Sequence, residues 1–228
     1  LLALAVGAFA IGTTEFSPMG FLPEIANDLS VSIPQAGLLI SAYAVGVMIG
    51  APLMTLWLAR FPKKTALILL MAIFTIGNVL ATVAPDYMSL MGARLITSLN
   101  HGAFFGLGSV VAASVVPKDK QASAVAMMFM GLTIANIGGV PLATWLSQNT
   151  SWRMAFAAIS ILGIMTMLAL WKALPQDHDV VKPNVAKGLR VLTRAPVVLA
   201  LLTTVMSAGA MFALYTYIAP SLHVFMQA

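Results

Sequence analysis

Cysteine is absent from this chain and charged residues are scarce. Only 8% of the 228 residues are Asp, Glu, Lys or Arg, whereas about a quarter of positions are charged in a typical soluble domain. The lack of cysteine excludes disulfides, Cys-ligated metal sites and thiol chemistry. Hydrophobic residues instead make up 60% of the chain, and the mean hydropathy is +0.96. This composition predicts a membrane protein that crosses the bilayer several times.

Motifs for enzymatic chemistry are missing as well. Ser109 follows His101 by about 12 Å along a helix axis, too far for direct contact, and Ser98 stands in no Gly-Xaa-Ser-Gly turn. There is no Walker-type phosphate loop and no His/Cys cluster with metal-ligand spacing. The net charge of +5 comes from residues in short loops, without an interleaved aromatic patch. We therefore expect no enzyme activity, no cofactor or metal, and no nucleic-acid partner.

Seven apolar segments are long enough to cross a bilayer as helices, which takes about 20 residues. We predict spans 1 to 7 at residues 1–25, 33–59, 65–85, 87–116, 121–147, 151–174 and 196–222. Long unbroken apolar runs favour helices over the short alternating strands of a membrane barrel. The chain begins Leu-Leu rather than with Met, so we expect a few residues to precede it.

The basic residues predict which way the chain is oriented, because Lys and Arg near span ends are retained on the cytoplasmic side. Ten of the twelve basic residues follow spans 2, 4 and 6: Arg60, Lys63, Lys64, Lys118, Lys120, Lys172, Lys182, Lys187, Arg190 and Arg194. The opposite loops hold Glu24, Asp28 and Asp86, with Arg153 as their only basic residue. The amino terminus is therefore expected in the cytoplasm.

Residues 175–195 form the one long polar stretch of the chain. Val181, Val185, Leu189 and Leu192 recur in it at helical spacing, with basic residues elsewhere around the helix. This pattern favours a helix on the cytoplasmic membrane surface, and the alternative is a solvated linker. We divide the chain into a six-helix bundle at 1–174, this linker, and span 7 with the start of a second bundle at 196–228.

Glu15 is a carboxylate inside an otherwise apolar span. A charge facing lipid or a dry interior costs at least a few kcal/mol, so an intramembrane acid usually faces a partner or a wet cavity. Arg94 in span 4 lies at a compatible depth, about 12 Å below the outer end against about 15 Å for Glu15. The two charges could pair, either as a packing salt bridge or as a titratable site whose protonation changes as substrate or water enters.

Uncharged polar and aromatic residues lie at similar depths. They can line a cavity or hydrogen-bond between helices, and residue type does not decide between these roles. His101 follows Arg94 on nearly the same helix face, as a packing residue, a proton relay or a substrate contact. The candidates for a substrate cavity are Tyr43, Asn100, His101, Phe105 and Asn136.

Several stretches together resemble a known family: residues 12–20, 31–34, 41–46, 100–106 and 139–153. On these the chain is similar to the major facilitator superfamily, in particular to drug:proton antiporters of type 1 and their bacterial sugar-efflux and arabinose-efflux-like branch. The resemblance implies two six-helix bundles around a central cavity that opens alternately to either side of the bacterial inner membrane. This chain would supply the whole amino-terminal bundle, the linker and the first helix of the second bundle.

The family motifs carry over unevenly. The loop pattern Gly-x-Leu-Ala-Asp-Arg-x-Gly-Arg-Lys aligns with residues 55–64. Arg60, Lys63 and Lys64 keep its basic positions and would form a gating loop, but Ala59 replaces the acid and Pro62 the second glycine.

The motifs of spans 4 and 5 are preserved to different degrees. Arg94 stands four residues after Leu90, as in the family's span 4 motif. The antiporter motif of span 5 aligns with residues 131–140, where Ala135 and Asn136 replace Gly-Pro.

The resemblance implies proton-coupled export of a small organic solute, a sugar or a drug-like compound. Glu15 would bind and release the proton, Arg94 would tune it, and the polar residues named above would border the cavity. The alternative is a membrane interaction module that does not transport, such as a self-associating half-bundle.

Overall fold

The structure is a computed structural model that describes residues 1–175 and 194–226. Seven helices are long and apolar enough to cross a membrane, which confirms the seven predicted spans. Their bounds are Leu2–Gly20, Ile33–Leu58, Lys63–Thr82, Tyr87–Ser114, Lys118–Asn149, Trp152–Ala173 and Ala195–Ile218. The helix predicted within the linker lies almost wholly outside the described residues. The chain divides into two compact units, Leu1–Val180 and Val181–Ala228, and span 7 belongs to the second, in a helix that continues to Met226.

Span 1 ends five residues earlier than predicted, at Gly20. Phe21 has non-helical backbone angles and begins a short separate helix, Leu22–Asp28. Pro23, the second residue of that helix, explains the break, because it has no N–H to offer the Met19 carbonyl and disfavours helical angles in the residue before it. The prediction of one helix over 1–25 was therefore wrong at its end.

Spans 4 and 5 contain irregular turns that the hydropathy pattern does not reveal. Span 4 is interrupted at Leu99 and Asn100, so that its second half begins at His101. Span 5 contains a π turn over Ala135–Gly139, in which the N–H of Val140 donates to the Ala135 carbonyl five residues back. Pro141 follows at once and has no N–H, so the regular hydrogen-bond register cannot continue through this point.

Span 1 lies at the centre of the first unit, with most of its side chains buried. Its apolar residues pack against spans 3, 4, 5 and 6 in one core around Leu4, Ile11 and Phe74. Span 5 approaches it closely at Gly131, where a Cβ would meet the Ala5 carbonyl oxygen. Large apolar side chains remain exposed on the other spans, for example Met48 at 68% and Ile161 at 59%, as a surface in contact with lipid requires.

Two polar contacts join helix ends at opposite ends of the first unit. At one end, Arg153 and the indole N–H of Trp152 both donate to the Asp28 carboxylate, at 2.5 and 3.0 Å. Arg153 also donates to the Ala84 carbonyl at 3.0 Å. The hydrogen bond from Arg153 lowers the pKa of Asp28. At the other end, the Lys64 ammonium donates to the Leu174 carbonyl at 2.7 Å, a favourable place for a cation at a helix carboxyl terminus.

Candidate functional site

Glu15 faces His101 inside the first unit. Its Oε2 lies 3.8 Å from Nε2 of His101, and the two side chains are 14% and 15% exposed. The interruption of span 4 at Asn100 puts His101 at the start of a new helical segment, directed at span 1. The carboxylate that the sequence singled out is thus almost enclosed, in contact with a second titratable group.

Tyr43 of span 2 completes this group from a third helix. Its hydroxyl lies 3.2 Å from Nδ1 of His101, and its side chain is almost fully buried, at 3% exposure. The two rings meet edge to face with centroids 5.9 Å apart. His101 is therefore contacted at both ring nitrogens, by a carboxylate on one side and a phenol on the other.

Arg94 joins the group from the other side of the Tyr43 ring, and it does not pair directly with Glu15. Its guanidinium lies over the Tyr43 ring, 4.2 Å from the centroid, and Nη1 donates to the Thr14 backbone carbonyl at 2.9 Å. Among the described residues, the titratable side chain in contact with the Glu15 carboxylate is His101, at 3.8 Å. The expected Glu15–Arg94 salt bridge is therefore replaced by contacts to the neighbouring peptide group.

Pro18 supplies the physical reason for this replacement. In a regular helix the N–H of residue 18 would donate to the carbonyl of residue 14, but proline has no N–H. Pro18 lies inside span 1, so the Thr14 carbonyl has no helical donor and accepts from Arg94 instead. Thr14 and Pro18 were missed in the sequence as site residues, and the spacing of Pro18 four residues after Thr14 is the signal that could have found them.

Arg94 is deeply buried, at 1% exposure. Its Nε and Nη2 have no hydrogen-bond partner among the described residues, although the Tyr43 ring lies beside the guanidinium. A buried cation needs a compensating charge or dipole. The Thr14 carbonyl, the Tyr43 ring and the nearby Glu15 carboxylate provide it here.

Three other predicted cavity residues have different surroundings. Phe105 lies beside His101, with ring centroids 5.1 Å apart, and stacks on Phe129 of span 5 at 5.1 Å. Asn100 is fully buried at the interruption of span 4, and both polar atoms of its side chain lack partners within the described chain. Asn136 lies on the π turn of span 5, where its amide donates to the Leu132 carbonyl at 3.0 Å. The structure thus places Phe105 against His101. Among the described residues, the side chains of Asn100 and Asn136 make no hydrogen bond to Glu15 or His101.

The predicted gating residues lie where span 2 is joined to span 3, Arg60 in the loop and Lys63 and Lys64 in the first turn of span 3. Arg60 donates to the Trp57 carbonyl at 3.0 Å and lies over the rings of Trp57 and Phe61. Lys64 binds the end of span 6, as described above, and Lys63 begins span 3. With Ala59 in place of the family's acid, Arg60 contacts a carbonyl group and two aromatic rings, and Lys64 contacts a carbonyl group.

Four side chains from three helices therefore form one connected polar cluster, which we call the Glu15 cluster: Glu15, Tyr43, Arg94 and His101. Carboxylate, imidazole and phenol groups can each exchange a proton with a neighbour or with water. Within the described residues, no group of three His, Cys, Asp or Glu side chains has the arrangement of a metal site. The chemistry that this arrangement offers is the uptake, sharing and release of a proton inside the membrane.

Known proteins resemble this chain along almost its whole length. The model of the Major Facilitator Superfamily matches residues 4–227. The chain is 68% identical over 222 residues to the inner membrane transport protein YdhP of Escherichia coli (strain K12), a match that covers 97% of this chain and 57% of that protein. It is 32% identical to a chloramphenicol resistance protein of Streptomyces lividans, covering 96% of this chain and 57% of that protein.

The fold is also similar to that of a solved bacterial homolog of the human lysosomal transporter Spinster, in an inward-facing and unoccupied conformation. The TM-score is 0.77 at 18% identity, and the match covers 96% of this chain and 54% of that chain. This chain thus spans about half the length of the relatives it matches. Its relatives are membrane transporters rather than enzymes, and its location as a multi-pass inner-membrane protein is confirmed. By the match of nearly all its residues, the chain belongs to the Major Facilitator Superfamily.

Proposed function

We propose that this chain forms the proton-binding half of a secondary transporter that exports a small organic solute in exchange for protons. The solute is a sugar or a drug-like compound. Glu15 binds and releases the proton, and Arg94 tunes the affinity of Glu15 for it. Tyr43, His101 and Phe105 border the substrate cavity. Asn100 and Asn136 lie at the two irregular turns and are proposed as further cavity residues.

One observation carries this proposal: Glu15 is 14% exposed and contacts His101, a side chain that can be uncharged, rather than a permanently charged partner. A carboxylate locked to an arginine by direct ion pairing stays ionised. Arg94 instead binds the Thr14 carbonyl, so its positive charge acts on Glu15 from a distance. Glu15 is therefore able to gain and lose a proton without breaking a direct salt bridge.

The test uses the complete gene product in inside-out vesicles with an imposed pH gradient. Labelled chloramphenicol and labelled glucose serve as the drug-like and the sugar probe. We expect gradient-driven accumulation of at least one probe by the wild type, and loss of it in Glu15→Gln. Accumulation of neither probe by the wild type would contradict the substrate class.

Asp119→Asn is the matched control, because it also removes one carboxylate charge but at an exposed position at the very start of span 5. It should transport like the wild type. Full gradient-driven transport by Glu15→Gln would contradict the role of Glu15, and equal losses in both variants would show that the assay responds to charge removal anywhere.

A further inference from the structure

The two ring nitrogens of His101 have chemically different neighbours. Nε2 faces the Glu15 carboxylate at 3.8 Å, and Nδ1 lies 3.2 Å from the Tyr43 hydroxyl. A neutral imidazole carries one proton, so one nitrogen donates and the other accepts. Which nitrogen holds the proton is set by the hydrogen bonds that the two neighbours can make.

An ionised Glu15 favours one tautomer. An ionised carboxylate only accepts hydrogen bonds, so the proton of His101 is best placed on Nε2, facing Glu15. The gap of 3.8 Å is longer than a direct hydrogen bond, and a small side-chain rotation closes it. Nδ1 is then the acceptor, and the Tyr43 hydroxyl donates to it.

A protonated Glu15 favours the other tautomer. Its new O–H can donate to Nε2, and the proton of His101 then belongs on Nδ1, where it donates to the oxygen of Tyr43. A phenol hydroxyl serves both arrangements because it can donate or accept. His101 and Tyr43 each hold one exchangeable proton in both arrangements, while Glu15 holds none in the first and one, taken from water, in the second.

Tyr43 is held in place for this task by Arg94. The guanidinium lies on the ring face at 4.2 Å, a favourable position for a cation on an aromatic ring. Arg94 is in turn fixed to the Thr14 carbonyl, next to Glu15 in the chain. The charged and titratable groups in the described surroundings of His101 are thus Glu15 from span 1, Tyr43 from span 2 and, beyond the Tyr43 ring, Arg94 from span 4.

We propose that Tyr43 is a positioning residue that sets the tautomer of His101 through its hydroxyl, and that this tautomer reverses when Glu15 takes up a proton. The inference rests on the proposed role of Glu15 as the proton site. In this arrangement His101 stays neutral throughout. When Glu15 in span 1 changes protonation, the tautomer of His101 changes, and the Tyr43 hydroxyl in span 2 switches between donating and accepting.

The experiment is nitrogen-15 NMR of the complete gene product in lipid bilayers, labelled at histidine. The His101 signals are identified as those lost in His101→Asn. We expect a proton on Nε2 at alkaline pH and a shift of population to Nδ1 on acidification. A doubly protonated ring over the same range, or no change of tautomer with pH, would overturn the proposal.

Tyr43→Phe keeps the ring under Arg94 and removes only the hydroxyl. Loss of one hydrogen bond of ordinary strength should change the tautomer ratio up to about tenfold. Tyr87→Phe is the control, since the Tyr87 hydroxyl donates to the Gln35 carbonyl at 2.8 Å, away from His101. An unchanged His101 spectrum in Tyr43→Phe would overturn the role of Tyr43. The spectra do not depend on transport, so they test the role of Tyr43 separately from the proposed function. The proposed function would be contradicted by a different result, gradient-driven transport by Glu15→Gln.

Discussion

At the scale of single residues, the position of Arg94 depends on a missing backbone donor. Pro18 leaves the Thr14 carbonyl without its helical N–H, and Arg94 provides the replacement at 2.9 Å. The side chain also fills space against Tyr43 and Phe156, at 4.2 and 5.9 Å from their ring centroids. Arg94 therefore stabilises the part of span 1 around Pro18 as well as placing a positive charge near Glu15.

Arg94 donates to the Thr14 carbonyl that Pro18 leaves without a helical donor. This contact predicts that changes at Arg94 and Pro18 have a non-additive effect on stability. Arg94→Ala leaves the buried Thr14 carbonyl unsatisfied, which costs about 1–3 kcal/mol. Pro18→Ala restores an N–H that can donate to this carbonyl, so Arg94→Ala should cost less in that background. Denaturant unfolding of the wild-type complete gene product, the two single variants and the double variant measures the coupling. Simple additivity of the two changes would show that the Thr14 carbonyl does not link them.

Individual residues also show how far the sequence predicts the site. Glu15 stands out because a carboxylate in an apolar span is costly, and Arg94 and His101 follow from depth and helix periodicity. The hydrogen bond from Arg94 to Thr14 could not be predicted in this way, because the acceptor is a backbone carbonyl. Reasoning from charged side chains alone predicts a direct salt bridge with Glu15. The contact of Thr14 with span 3 escapes this reasoning too: the Thr14 hydroxyl donates to the buried side chain of Asn78 at 2.6 Å.

At the scale of helices, span positions follow from hydropathy while their interruptions do not. The break before His101 and the π turn at Asn136 change which way side chains face without altering the average hydropathy. Pro23 and Pro141 do mark two of the irregular points in the sequence, since each lacks a donor that a regular helix needs. The interruption at Asn100 has no such proline, and the local sequence carries no equivalent signal.

The contact of Asp28 with Trp152 and Arg153 joins the helix after span 1 to span 6, and it predicts a pH dependence. Arg153 lowers the pKa of Asp28 in the folded state. The resulting stabilisation is complete above the unfolded-state pKa, near 3.9 for an ordinary Asp, and is lost as the pH falls through the lower folded-state value. An exposed ion pair is worth at most about 1 kcal/mol.

Asp28→Asn should therefore lower the thermal unfolding temperature slightly at neutral pH. The difference from the wild type should shrink as the pH falls below about 4, where the wild-type carboxyl loses its charge. Asp119→Asn, an exposed carboxylate without a described ion-pair partner, should show no such difference. A gap between wild type and Asp28→Asn that grows on acidification would contradict this account of the contact.

At the scale of the whole molecule, the distribution of basic residues predicts a cytoplasmic amino terminus. The absence of cysteine makes every introduced cysteine unique within this chain. Asp119 and Gln148 lie exposed at opposite ends of span 5. In intact cells, a membrane-impermeant maleimide should label Gln148→Cys and leave Asp119→Cys unlabelled until the membrane is opened. The reverse pattern would invert the predicted orientation.

The chain spans 57% of the length of YdhP, so the proposed coupling between proton binding and transport has to be tested on the complete gene product. Alternating access moves one bundle against another around a fixed site near the bilayer midplane. In this picture the Glu15 cluster is the fixed site. Its contacts with spans 1, 2 and 4 would transmit a change of protonation to the bundle that these helices form.

The most direct test of the central claim is proton release by the purified complete gene product in weakly buffered detergent solution. A probe that the vesicle assay has identified as transported, chloramphenicol or glucose, is added while the pH is followed with an indicator dye. If substrate and proton exchange at Glu15, the wild type and Asp119→Asn release protons on addition of the probe, and Glu15→Gln releases none. Equal proton release by Glu15→Gln and the wild type would contradict the account.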